Sequence, residues 1–209
     1  MSRPHINRSP RRSPVSALTP WISERIQASL SVKQLLAEDK QYLATVAAVG
    51  QLIAESLSQD GQILFCGNGG SAADAQHLAA ELAGRFLRER TGLAGIALTT
   101  NTSTITAIGN DYSFEEIFSR QVEGLGRAGD VLIGISTSGN SANVLRAMKL
   151  AKGMKLTTVA LTGKTGGKLA EAVDHCIRIP SNETPRIQEA HILTGHILME
   201  LVEAELFGD

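Results

Sequence analysis

Gln62-Ile63-Leu64-Phe65-Cys66-Gly67-Asn68-Gly69-Gly70-Ser71-Ala72-Ala73-Asp74-Ala75-Gln76-His77-Leu78-Ala79-Ala80-Glu81 contains the sharpest change of pattern in the chain. An apolar run over 62–66 stops at glycines and gives way to an alanine-rich segment with helical spacing, so a buried strand turns sharply into a helix. Further short apolar runs follow at 94–98, 130–135, 156–161 and 176–179, separated by helical segments. Near-continuous hydrophobicity suits parallel strands covered on both faces, with the helices as right-handed crossovers. The expectation is an α/β fold: a five-stranded parallel, doubly wound, flavodoxin-like sheet. Ligands of such sheets bind outside the carboxyl ends of the strands, where the segments after Cys66 and Ile135 fall.

Working outward, residues 19–58 carry Ile22, Ile26, Leu30, Leu35, Leu36, Leu43, Val46, Ile53 and Leu57 at helical spacing, broken at Glu38-Asp39-Lys40. Two helices therefore precede the first strand as an N-terminal helical hairpin. Neither buries its stripe alone, which makes the pair a plausible oligomerisation device. Residues 185–207 form a last helix whose apolar arc, Ile187 to Val202, is wide enough to need more than one neighbour. Residues 1–18 contain Arg3, Arg8, Arg11 and Arg12 between Pro4, Pro10 and Pro14 and lack an apolar signal run, so they read as a disordered tail. Residues 19–209 then form a single domain.

Composition limits the function classes. The 20 Lys and Arg against 21 Asp and Glu give a formal charge of -1, so no global field attracts nucleic acid or an acidic membrane. No window reaches the length of a membrane span. Two cysteines, Cys66 and Cys176, both in strand-like runs, argue against a disulfide framework or a cysteine zinc site and fit reduced thiols in the cytoplasm.

Three loops carry candidate chemistry. Gly67-Asn68-Gly69-Gly70-Ser71 opens a helix, and its amides with the helix dipole favour an anion, although the same residues would serve a tight turn. Its spacing matches neither a Walker A loop nor the dinucleotide fingerprint. Ser136-Thr137-Ser138-Gly139-Asn140-Ser141 places hydroxyls and an amide ahead of a second helix, which suits phosphate oxygens or, more simply, a helix cap. Together, the two loops point to a phosphorylated ligand. Thr162-Gly163-Lys164-Thr165-Gly166-Gly167 is read as a cap for the next helix.

His77 and Glu81 stand at i and i+4, so one helix face presents both to a shared metal or substrate. His196 is a polar interruption among Ile192, Leu193, Ile197 and Leu198. Moving a carbonyl between neighbouring carbons needs a base, a group that shuttles protons between oxygens, and stabilisation of enediol charge. Glu81 is the candidate base and His196 the candidate acid. His175 and His191 are read as structural, and Asn110-Asp111 after a glycine is also an ordinary turn.

Cys66–Ser71 with His77 and Glu81, Gly109-Asn110-Asp111, Ser136–Ser141, and Arg186-Ile187-Gln188-Glu189 with His196 resemble the sugar isomerase (SIS) domain family, and within it the phosphoheptose isomerases, over about residues 20–207. The resemblance implies conversion of sedoheptulose 7-phosphate into D-glycero-D-manno-heptose 7-phosphate, the first step towards activated heptose. It implies a homotetramer with active sites at subunit interfaces and one zinc ion per subunit, held by His77, Glu81, Gln188 and His196. Substrate would meet Asn68, Gly69, Gly70, Glu81, Asn110, Asp111, Ser136, Thr137, Ser138, Ser141 and Gln188. Eight residues of straight helix separate Gln188 from His196 by roughly 12 Å. Reaching one ion together would take helix distortion or a site shared between subunits, the preferred arrangement, unless Gln188 holds substrate. The chain is also similar over most of its length to initiator-associating proteins of bacterial replication, which use the same tetrameric scaffold to hold a partner. A carboxylate at 81 and an imidazole at 196 favour the isomerase over that binding protein.

Overall fold

The computed structural model describes residues 14–208. Five strands, β1 (Ile63–Gly67), β2 (Gly95–Ala97), β3 (Val131–Ser136), β4 (Thr157–Thr162) and β5 (His175–Arg178), form one sheet in the order β2-β1-β3-β4-β5. Every neighbouring pair is parallel, with Phe65 opposite Ile133 and Ile133 opposite Val159. This is the flavodoxin-like order expected from the sequence, and each strand lies within about one residue of its predicted run.

Alternation along the buried strands explains the two layers. Ile63, Phe65, Ile133, Ile135, Val159 and Leu161 point to one face, where helices α1 (Val15–Glu38), α2 (Lys40–Ser58), α3 (Gly70–Ala83) and α8 (Thr184–Phe207) cover them. Leu64, Cys66, Leu132 and Ala160 point to the other, under α4 (Thr102–Asp111), α5 (Ser119–Leu125), α6 (Ala142–Gly153) and α7 (Leu169–Ala172). Phe65 is fully buried at the centre, where truncation to alanine would cost about 3–5 kcal/mol.

The break at residues 38–40 is a helix cap. Asp39 Oδ1 accepts from the amides of Gln41 and Tyr42 and starts α2, which packs on α8 through the Tyr42 hydroxyl at 2.8 Å from Thr194 Oγ1. By contrast, α1 buries only Val32 and Leu36 and leaves Leu18, Trp21, Ile22, Ile26, Leu30 and Leu35 exposed. The tail expected over 1–18 is corrected at its end: Val15–Leu18 belong to α1, since Pro14 precedes the helix and Thr19 Oγ1 donates back to the Val15 carbonyl. Pro20 is accommodated inside α1 at the loss of one intrahelical bond. Residues 1–13 lie outside the described residues. Among the described residues no helix is long and apolar enough to cross a membrane.

Candidate active site

The strand order reverses between β1 and β3, and the loops leaving their carboxyl ends lie side by side. Gly69 caps α3 with φ 58° and ψ -121°, a conformation that a side chain disfavours. Neither α3 nor α6 has a side-chain cap: Gly69 has no side chain, and Ser141 makes no bond to the α6 amides. Instead, Ser141 Oγ lies 2.9 Å from Ser136 Oγ. Asn68 and Asn143 exchange amide hydrogen bonds of 2.8 and 2.9 Å, which couples the first loop to α6. The sequence reading placed Asn68 against substrate; in the structure its side chain is engaged with Asn143.

Residues 136–141 are braced from outside. The Gly163 amide donates to the Thr137 carbonyl, the Lys168 amide to Asn140 Oδ1 and the Leu169 amide to the Gly139 carbonyl. A Cβ on Gly139, where φ is 66°, would come within 2.0 Å of the Gly166 carbonyl oxygen. The third loop, expected to cap the next helix, supplies no side-chain cap to α7, whose N-cap is Lys168; its backbone instead braces the hydroxyl-bearing loop. Thr137 and Ser138 face it across a cavity of about 230 Å³ that also reaches Ser181, Asn182 and Ile187.

Helices α3 and α8 run close together because residue 195 is glycine: a Cβ there would stand 2.6 Å from Leu78 Cδ2. That contact sets His77 beside His196. Their Nε2 atoms are 2.9 Å apart, and His77 Nε2 is 3.1 Å from Glu81 Oε1. The three ligand-type atoms fall within 4.8 Å of one another. Two imidazole nitrogens and a carboxylate oxygen converging in this way form a donor set suited to a divalent metal ion. The side chain of His77 is 49% exposed, so the triad opens outward. The ring of Phe86 stacks on His196 with centroids 5.4 Å apart and planes at 27°. Burial pushes the Asp74 carboxyl above its ordinary range, although His77 and His196 pull it back part of the way. Asp74 Oδ2 is buried with no hydrogen-bond partner among the described residues.

One chain thus assembles His77, Glu81 and His196, so these three come together without a second subunit. Gln188 lies elsewhere: its amide nitrogen would be 2.4 Å from a Cβ on Gly70, at the start of α3 and two turns before His77. The axial separation inferred from the sequence is therefore real within a chain, with Gln188 at the glycine loop and His196 at the triad. Asn110 and Asp111 close α4 as an exposed pair joined by a 2.9 Å bond. His191 is buried, with Nε2 donating to the Thr162 carbonyl, as a structural histidine would be. The sequence reading did not single out Asp74, Phe86, Arg90, Asn143 and Glu203. For Glu203 a signal existed, a carboxylate seven residues beyond His196 on the buried face of an apolar helix.

The SIS domain family model matches residues 27–163. The phosphoheptose isomerase of Roseiflexus sp. (strain RS-1) is 50% identical over 197 residues, 94% of this chain and 99% of its own. That of Rhodospirillum rubrum is 59% identical over 161 residues, 77% of this chain and 86% of its own. The phosphoheptose isomerase structure from Neisseria gonorrhoeae superposes with a TM-score of 0.84 at 46% identity, covering 90% of this chain and 99% of that one. These relatives do not favour the replication-initiator reading. A parallel sheet with two anion-suited loops at its reversal point, a His-Glu-His cluster beside them and this degree of likeness lead to one assignment: the chain belongs to the SIS domain family, among the phosphoheptose isomerases.

Proposed function

We propose that the protein isomerises sedoheptulose 7-phosphate to D-glycero-D-manno-heptose 7-phosphate, an aldose–ketose interconversion that supplies activated heptose synthesis. The observation that carries this reading is the approach of Glu81 and His196 to the same His77 nitrogen, at 3.1 and 2.9 Å. Glu81 takes the proton from C1 of the ketose, giving an enediol, and returns a proton to C2. His196 donates to the oxygen on C2 and accepts from the oxygen on C1, so the carbonyl moves with no net change in atoms. Ser136, Thr137, Ser138 and Ser141 take the phosphate, assisted by the amides of Gly69 and Gly70. Asn110, Asp111 and Gln188 contact the sugar, and Asn68 meets it from the loop that its bonds to Asn143 hold in place. Seven residues of α3 between Gly70 and His77 span about 10 Å, the reach of an extended seven-carbon chain with a terminal phosphate.

His77, Glu81 and His196 would hold one zinc ion per subunit; Gln188, the fourth ligand that the family resemblance implies, stands at the glycine loop of its own chain and would reach such an ion only from another subunit. Bound there, zinc supplies Lewis-acid stabilisation to negative charge on oxygen. A homotetramer with active sites at subunit interfaces is supported by the exposed stripe of α1 and the open side of His77. Free thiols at Cys66 and Cys176 support a cytoplasmic location. Incubating purified protein with sedoheptulose 7-phosphate tests the reading. Aldose product that disappears with a strong chelator and returns with zinc is expected; no turnover with zinc restored overturns the reading.

A further inference from the structure

We propose that the buried Glu203–Arg90 pair is a positioning device for the acid–base residues, clamping residues 84–93 across α8 so that Phe86 seats the His196 ring while Arg90 fixes the last turn of α3 below Glu81. This rests on the reading of Glu81 and His196 as base and acid.

A helix ends with carbonyls that lack intrahelical donors, and α3 ends at Ala83 in front of an irregular segment. Arg90 supplies those donors. Its Nη2 donates to the Glu81 carbonyl at 2.7 Å and its Nη1 to those of Leu82, Gly84 and Thr91 at 2.9, 3.1 and 3.0 Å. A guanidinium there also complements the negative end of the helix dipole. Its Nε donates to Glu203 Oε1 at 2.8 Å.

Glu203 is the other anchor. Beyond Arg90 it accepts from the amides of Phe86, Leu87 and Arg88 at 3.0, 2.9 and 3.2 Å, so a single carboxylate gathers the whole start of the loop. Burial alone would raise its pKa, but the loop amides and Arg90 outweigh that and hold it below the ordinary carboxylate range. Glu203 lies two helical turns beyond His196 and thus on the same face of α8. Phe86 is therefore fixed to α8 twice, by its amide at Glu203 and by its ring on His196.

The side chains of Arg90 and Glu203 are 2% and 3% exposed. A pair so deeply buried contributes little net stability, because desolvation roughly offsets attraction. What it delivers here is geometry, tying both catalytic helices to one loop.

Phe86→Leu, Phe86→Tyr and Glu203→Gln test the clamp with sedoheptulose 7-phosphate as substrate. Leucine keeps the apolar contact but removes the flat ring, so kcat falls about tenfold while KM stays within about twofold, and tyrosine restores kcat. Glu203→Gln shows the same kcat loss together with a lower melting temperature. A merely structural clamp would lower the melting temperature alone. Parental kcat in Phe86→Leu overturns the proposal, whether or not Glu203→Gln folds. Glu81→Gln, assayed beside them, separates the two claims: turnover surviving in that variant removes the acid–base reading itself.

Discussion

Glu81 and His196 approach His77 from two helices that lie 100 residues apart in the chain, and only one of the two approaches is local. His77 and Glu81 share a helix face by spacing alone, so their pairing was legible in the sequence. His196 stood out as an imidazole in an apolar run, but its distance to His77 depends on packing that spacing does not encode. Replacing Glu81 with Gln keeps the shape and removes the base. Turnover should fall by about 10²–10⁴-fold while calorimetry still detects sugar-phosphate binding, and unchanged turnover would refute the role. Gly70→Ala probes Gln188 instead. The new methyl would meet the Gln188 amide, the movable end of a side chain, so stability should barely change while KM for the sugar phosphate rises several-fold. Parental KM in a folded Gly70→Ala protein would remove Gln188 from the binding site. Phe86, Arg90 and Glu203 escaped the sequence reading because the contacts that join them, between residues 86–90 and Glu203 or His196, cross more than a hundred residues of chain.

At the scale of elements, the sheet was readable because buried parallel strands are short, apolar and bounded by turn residues, and the strand order agrees with that reading. Less readable was how closely two helices approach each other. Glycine inside a helix costs about 1 kcal/mol relative to alanine, so Gly195 in α8 carried a signal of close packing that only coordinates could assign to Leu78. Gly195→Val drives three carbons, Cβ and its two methyls, into that contact. Overpacking of about 1–3 kcal/mol should lower the melting temperature, and the separation of α3 from α8 should weaken the triad. Equilibrium unfolding and a metal-binding titration on the same variant check both halves: a destabilised protein with parental metal affinity would mean that the helix contact does not set the His77–His196 distance. The start of α1 was misplaced because the arginines and prolines of the tail hide where helix begins: Val15 follows directly on Pro14, and Pro20 is carried inside the helix.

Over the whole molecule, two properties depend on many elements at once. The apolar stripe of α1, with Ile22 and Ile26 about half exposed, has no cover among the described residues. Ile22→Asp with Ile26→Asp should shift the mass measured by light scattering from the proposed tetramer to smaller species while leaving helical circular dichroism intact; a tetramer in the double variant would place the subunit contact elsewhere. The second property is acid stability, and it turns on His191. Its imidazole is sealed between α8 and the end of β4, with Nε2 donating to the Thr162 carbonyl and Nδ1 buried without a partner among the described residues. Burial lowers its pKa from 6.5 to about 4, against the opposing pull of that carbonyl. The folded chain therefore resists a proton that the unfolded chain accepts. Above pH 6.5 both states are neutral at this residue and its contribution is fully present; between 6.5 and about 4 the unfolded state gains the proton first and stability falls with pH; below that the loss is complete. A gap of 6.5 minus about 4 corresponds to about 3 kcal/mol. Glu203 and Asp174, both held below the ordinary carboxylate range, add losses in the same direction, but only once the pH falls through the carboxylate range. Urea unfolding at pH 7.5 and at pH 5 should therefore show a stability loss that precedes carboxylate protonation. His191→Asn removes the titrating group, so its stability should vary much less over that interval even if its starting value is lower; a parental pH slope in that variant would assign the acid sensitivity to other groups.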